Sequence, residues 1–476
     1  MKKVYKAHPL MVLSKVAPFL LIFIFPVVKA FLQYFTKGKI TDILGFEITI
    51  FLIITAMAVI HCLSFKLTVD EDELIVETGF VFRKKAQIKR ARLSSIQVQQ
   101  NPLDMLCSAV TYRINTEAGS RRLSDFKFKL SLSNSKSIYN QIYLDTPVSR
   151  AHFSPIKVAA MAATTSSAFM GMVIGVPIIY RTGSLLGVAL NEMLLDEINN
   201  VSNKFQNYFP PIVNTISLIF LLAYGVSFVY TFVKYVNFKL YLGEKSLEVK
   251  TGVFVRSATV FKKKSVNNVK IEQTPLMLLF KRFAMKVSVG GFGETKAVSQ
   301  IVVPSGKWEE IEREFYKYFP FLAPQTKNLR PAKSSENRAR FLFWPTIYLG
   351  IIFMLSVILA VKFVDFGKLI LFLTVIATCV VFYHAYTCIY ELEHGKIGFS
   401  DNVYARGRKG FNTCSLYCPK ENIGEIKVTR LWTDAKKNTC RVRITVSSER
   451  ADSMCVRLLN YDETMSEISK NFNIPE

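Results

Sequence analysis

The chain reads as a multi-pass α-helical membrane protein in which six spans, arranged as three hairpins, alternate with three soluble β-rich modules. Three observations predict this. Six stretches, near 12–35, 46–63, 156–180, 211–233, 341–361 and 368–386, are apolar over about 20 residues, the length that crosses a hydrocarbon core. They fall into pairs, with soluble segments between one pair and the next. A repeat at an offset of 173 runs through the first two soluble segments. Phe65-Lys66-Leu67 recurs as Phe238-Lys239-Leu240, Thr78-Gly79 as Thr251-Gly252, Ile96 as Val269, Gln100 as Gln273, and Pro102-Leu103 as Pro275-Leu276. A period this long marks a duplicated domain, because solenoid repeats run about 20–50 residues.

Taken in order, residues 1–63 form the first hairpin, with Lys15 and Lys29 toward span ends where long side chains snorkel to the headgroups. The apolar stretch is too long for a signal peptide and lacks a clean small-x-small site, so it reads as a retained anchor. Residues 64–150 are the first module. Its Glu73-Leu74-Ile75-Val76-Glu77 and the alternating Ile96-Gln97-Val98-Gln99 are strand-like, with a turn at Gly79. Residues 151–235 are the second hairpin, whose connection 181–210 holds either an amphipathic helix from Gly187 to Ile198 or a loop with apolar patches. Residues 236–322 are the second module. It closes with a helix in which Trp308, Ile311, Phe315 and Tyr318 recur at helical spacing before Pro320. A linker, 323–340, leads to the third hairpin, 341–387, and to a divergent third module, 388–476.

Orientation follows from charge. Few Lys or Arg lie in the connections within pairs, whereas Lys2, Lys3, Lys6, Lys66, Arg150, Lys157, Lys234, Lys239, Arg330, Lys333, Arg338 and Arg340 flank the other side. The positive-inside rule therefore places the modules and both termini in the cytoplasm of a plasma (inner) membrane protein. None of the eight cysteines lies in an outside connection, which suits a reducing compartment. The formal charge of +25 is uneven: segment 64–154 carries +5, 234–340 carries +12 and 387–476 carries +2. The middle module is the electrostatic outlier.

The early strand ending in Thr-Gly and the later Ile/Val-x-x-x-Gln-x-Pro-Leu, carried by Phe65, Gly79, Gln100 and Pro102 and again by Phe238, Gly252, Gln273 and Pro275, resemble the bacterial pleckstrin-homology (PH)-like membrane-flanked domain. The alternation over the whole chain is similar to the YdbT-like membrane proteins. The resemblance implies modules built as a β-sandwich or bent barrel with a C-terminal helix, used for binding and not for catalysis. The third copy departs from the pattern: it has Tyr390-Glu391-Leu392, no Thr-Gly, and Val428-Thr429-Arg430-Leu431 where Gln-x-Pro-Leu would fall.

The basic runs are the candidate contact surface: Arg83, Lys84, Lys85, Lys89, Arg90 and Arg92 in the first module, and Lys262, Lys263 and Lys264 in the second. Each Lys or Arg near an anionic leaflet contributes about 1 kcal/mol within a Debye length, so three or four would hold a tethered module against it. The plainer reading is a solvated loop whose charge serves topology and solubility. No recognition helix accompanies the charge, so nucleic acid is not an expected partner. Cys414-x-x-x-Cys418 with Cys440, Cys455 and His394 lacks the spacing of a zinc knuckle and reads as small buried residues; no metal or cofactor is expected. His61 and His384, near inner span ends, read as interfacial rather than as a proton-linked pair. Gly290-Gly291-x-Gly293 opens no helix and reads as a turn, and Trp344 reads as a belt residue.

No His-Glu-x-x-His, nucleophile elbow or intramembrane carboxylate pair is present in the sequence, so an enzyme is not expected. The expected role is a non-catalytic membrane-anchored scaffold. Its expected partners are the bilayer, anionic lipid headgroups, and another membrane protein or a homo-oligomer. The resemblance adds envelope stress and resistance to membrane-active peptides as a setting. The alternative is an exporter of a peptide or lipid with the modules as gates.

Overall fold

The structure is a computed structural model. It describes residues 3–17, 19, 42–70, 72–79, 83–116, 126–142, 147–168, 170–173, 175–176, 179, 190–204, 211–289, 300–324, 329–331, 335–431, 434, 436–447 and 452–472. The chain divides into two compact units, Met1–Ala151 with Lys239–Ser265 and Val289–Val298, and His152–Phe238 with Val266–Ser288 and Ser299–Glu476.

In the first unit, strand β1 (Lys3–Lys6) precedes helix α1 (Asp42–Ser64), and strands β2 (Lys66–Val69), β3 (Glu73–Thr78) and β4 (Lys84–Lys89) follow it. They make a four-stranded sheet in the order β1-β2-β3-β4. The chain continues through β5 (Leu93–Gln100), short helix α2 (Pro102–Leu106), β6 (Ala109–Thr116), β7 (Phe126–Ser131), α3 (Leu132–Ile142) and β8 (Ser149–His152). The second copy of the repeat supplies β9 (Lys239–Leu242), β10 (Ser246–Thr251) and β11 (Arg256–Lys262). These join one seven-stranded sheet, β7-β6-β5-β11-β10-β9-β8.

Period-two burial in β2 turns Leu67 and Val69 inward, onto a core with Phe65, Leu74, Ile96, Tyr112 and Phe128. Phe65 and Tyr112 both lie against Phe128, with ring centroids 5.1 and 5.8 Å away. The Tyr112 hydroxyl donates to Ser135 O at 2.9 Å, which satisfies a buried phenol and pins α3 over the sheet.

In the second unit, α4 (Pro155–Thr165) starts at the N-cap Ser154, whose hydroxyl accepts from Lys157 N. Helices α5 (Leu190–Lys204) and α6 (Pro211–Tyr235) follow. The rest of the second copy is β12 (Val266–Gln273), α7 (Pro275–Leu279), β13 (Phe283–Val289), β14 (Gln300–Gly306) and α8 (Trp308–Tyr318). Then come the long helices α9 (Ser335–Lys362) and α10 (Gly367–His394). The third copy is β15 (Lys396–Gly398), β16 (Asn402–Lys409), β17 (Asn412–Pro419), β18 (Ile423–Thr429), β19 (Thr439–Val446), β20 (Asp452–Asn460) and α11 (Tyr461–Phe472). One sheet runs β14-β13-β12-β17-β16-β20-β19-β18, with β15 paired to β16.

Three described helices, Asn214–Tyr235, Asn337–Lys362 and Gly367–His394, are long and apolar enough to cross a membrane, and Thr49–Ser64 is apolar but shorter. The expected span 12–35 lies mostly outside the described residues, as does the turn at Gly290-Gly291-x-Gly293. The expected span 156–180 does not run unbroken. Helix α4 stops at Ser166, and its Val158, Met161 and Ala162 are buried in protein. Within the expected connection 181–210, residues Leu190–Lys204 are the helix α5.

The repeat is visible in backbone conformation. Gly79 and Gly252 sit at φ +99° and +84°, in the region that glycine enters without steric cost. Ser108, Lys281 and Asn438 all sit at φ +49°, each just ahead of the equivalent strand β6, β13 or β19. The third copy thus keeps the backbone of the first two where its sequence has diverged.

Candidate functional site

Two features of the fold bear on function: the strand pairings that join the modules, and a cluster of arginines at the C-terminal end of α10.

At the first seam, β5 pairs with β11, with Gln100 opposite Arg256 and Ile96 opposite Val260. At the second, β12 pairs with β17, with Gln273 opposite Thr413 and Val269 opposite Tyr417. Gln100 and Gln273 are repeat equivalents, as are Ile96 and Val269, so the two seams share one register. In antiparallel pairs a one-residue slip would turn every side chain to the other face, so a shared register means a shared interface. The seams leave β4 at the end of its sheet and β18 at the end of its own, among the described strands.

The predicted surface residues divide accordingly. Arg83, Lys84, Lys85, Lys89 and Arg92 are exposed and Arg90 is half-buried, all on or just beyond the open strand β4. Lys85 Nζ lies 3.7 Å from Glu77 Oε1. The second run lies elsewhere. Lys262 Nζ donates to Arg90 O at 2.7 Å and Ala91 O at 2.9 Å, which fastens the first seam. Lys263 Nζ donates to Glu244 O at 3.0 Å, and Lys264 is exposed.

The repeat-motif residues build the scaffold. Phe65 and Phe238 are core residues, and Pro102 and Pro275 occupy the first turns of α2 and α7, where a missing N–H costs nothing. Gln100 Nε2 donates to Ala109 O at 3.1 Å, whereas buried Gln273 accepts from Thr413 Oγ1 at 3.2 Å across the second seam.

The cysteines of the third module are packed, not poised. Cys414, Cys418 and Cys440 belong to its apolar core. Burial pushes the Cys414 and Cys418 thiols up to about 12, which keeps them protonated. No group of three or more potential metal ligands occurs among the described residues.

The arginine cluster was not foreseen from sequence. Glu391, 1% exposed near the end of α10, accepts from Arg457 Nε at 3.0 Å (Oε1) and 3.2 Å (Oε2). Arg408 Nε lies 3.3 Å from Glu391 Oε2, and its Nη1 meets His384 Nδ1 at 3.1 Å and Thr387 Oγ1 at 3.4 Å. A guanidinium only donates, so His384 accepts at Nδ1 and carries its proton on Nε2, which faces Cys388 Sγ at 4.0 Å. Burial alone would depress the Arg457 guanidinium, but hydrogen bonding to Glu391 carries it above its ordinary value. Arg457 also stacks on Phe341 of α9, 4.4 Å from the ring centroid. His384, Glu391, Arg408, Arg441 and Arg457, with Gly410, Phe411 and Cys455, line one cleft of about 360 Å³. The only sequence signals were an acidic residue one turn from the C-terminal end of an apolar helix and arginines at alternate strand positions.

Comparison with known families decides the class of the modules. The profile of the bacterial PH domain matches residues 10–145 and 189–318, more than half of the chain. The chain belongs to the bacterial PH domain family. The match covers the first two PH-like modules together with helical sequence ahead of each, and the third module lies beyond it. No curated protein and no solved structure matches the chain.

Proposed function

We propose that the chain is a non-catalytic, multi-pass scaffold of the plasma membrane, YdbT-like in organisation, whose three PH-like modules are joined edge to edge on the cytoplasmic side. The observation that carries the reading is the pair of seams in one register, since strand pairing between modules gives a fixed β surface. A second pattern supports the hairpins. The strand before each apolar region pairs with the strand after it: Lys6 lies opposite Lys66, β8 neighbours β9, and Leu329 bridges Ile397. Chain ends held together in one sheet lie on one side of a bilayer, so each region between them crosses an even number of times. Three hairpins and six spans meet that condition. The central parts of α6, α9 and α10 contain no Asp, Glu, Lys or Arg, which favours anchoring over conduction.

The scaffold offers its open, basic β4 edge to an extended acidic segment of another membrane protein, by adding a strand. The test is a photo-crosslinking residue at Arg83 or Gln87 of the full chain in native membranes, against the same residue at Arg256 on β11. Protein adducts from β4 alone, abolished by Lys84→Glu with Lys85→Glu, are expected. Equal adducts from β11, or none from β4, would contradict the proposal.

A further inference from the structure

We propose that the cleft lined by His384, Glu391, Arg408, Arg441 and Arg457 is a phosphate-binding site at the depth of the lipid headgroups. Its charge is the first argument. Three arginines and one carboxylate line the cleft, so it keeps two positive charges in excess after Glu391 is matched. Glu391 engages the Nε side of both Arg408 and Arg457, and this fixes their planes. Arg441, half-buried on β19, has no carboxylate partner among the described residues. A rigid set of guanidinium forks with surplus charge is the arrangement that recognises phosphate in two-pronged fashion.

Depth is the second argument. At 1.5 Å per residue, His384 lies about 26 Å and Glu391 about 36 Å along α10 from Gly367. A hydrocarbon core of about 30 Å that begins at Gly367 therefore ends between them. The third argument is the collar around this level. Trp344 stacks near Tyr348 (6.1 Å between centroids), and Tyr348 lies 6.4 Å from the His384 ring. The Tyr383 hydroxyl donates to Phe411 O at 2.7 Å. Trp344, Tyr348 and Phe411 are exposed large aromatics, the residue types that sit at a membrane–water boundary.

The site accepts a phosphate group, with a phospholipid headgroup or free phosphate as its source. Its placement rests on the reading of α10 as a span, but its chemistry does not, and the test separates the two. The full chain is purified in detergent and placed in nanodiscs of phosphatidylglycerol with phosphatidylcholine, or of phosphatidylcholine alone. Co-purifying anionic lipid is counted by native mass spectrometry for wild type, Arg441→Gln, and the charge control Arg338→Gln on α9. Retention of phosphatidylglycerol by wild type and Arg338→Gln, lowered at least tenfold in Arg441→Gln, is expected for a headgroup site. In a second arm, inorganic phosphate replaces chloride at constant ionic strength in lipid-free detergent. A thermal shift lost only in Arg441→Gln identifies free phosphate as a ligand even if α10 is not a span. Identical behaviour of wild type and Arg441→Gln in both arms would overturn the proposal and leave the cluster as an internal ion network.

Discussion

At the scale of single residues, the fold spends its ionisable groups in two ways. Asp104 is fully buried beside Lys129 and Thr111, where it closes the start of α2. Lys270, on the seam strand β12, is 8% exposed, and burial lowers its ammonium to about 8. Its pKa in the unfolded chain is the ordinary 10.5. Between those values the unfolded chain binds more protons than the folded one, so stability rises as pH increases from about 8 to about 10.5. Below that window the folded state carries the full cost of the buried charge, up to about 3 kcal/mol. Lys270→Met should raise stability at pH 7 in denaturant unfolding of the full chain in detergent. The gap to wild type should shrink as pH approaches 10.5, and a gap that does not change with pH would exclude this role. Local rules made some residues legible in sequence: Thr78-Gly79 and Thr251-Gly252 announced turns because a positive φ demands glycine. The contacts of Lys262 were silent in sequence because its partners, the carbonyls of Arg90 and Ala91, lie in another module. Glu391 was silent for the same reason, since Arg408 and Arg457 reach it only through the fold.

At the scale of elements, the strands were legible and their pairings across modules were not. Alternation identified Ile96-Gln97-Val98-Gln99 as a half-buried strand. It carried no sign that the far edge of β5 meets β11, because edge pairing is made by backbone groups that every strand possesses. Burial records the outcome. Phe261, Val260 and Thr259 on β11 are buried, whereas Lys84, Lys85 and Gln87 on β4 are exposed. Strand β11 is bonded on both sides, by β10 and β5, and β4, among the described strands, on one side, by β3. Amides on the outer edge of β4 should therefore exchange with deuterium orders of magnitude faster than those of β11. Equal protection in the purified chain would mean that β4 is already covered. The third module was the hardest to read. Its αL position is Asn438 where the other copies have Ser108 and Lys281, three side chains that share a backbone need and little else.

At the scale of the whole molecule, the clustering of apolar residues was legible in sequence: three described helices are long and apolar enough to cross a membrane, and the family match covers the first two modules. The strand pairings are what the scaffold proposal rests on: strands flanking each apolar region pair with one another, and consecutive modules share sheets. The seam register is the claim on which this account depends. In the second seam Glu272 lies directly opposite the native Cys414, whereas Ile271 lies opposite Ser415. Opposed residues of an antiparallel pair have Cα atoms about 4.5–5.5 Å apart, within the reach of a disulfide. The most direct measurement is mild oxidation of Glu272→Cys and, separately, Ile271→Cys in the full chain in native membranes, with the bond mapped by peptide mass spectrometry. A disulfide from position 272 to Cys414, and none from position 271, is the predicted result. A bond from position 271, or no bond from either, would contradict the shared register and the edge-to-edge scaffold built on it.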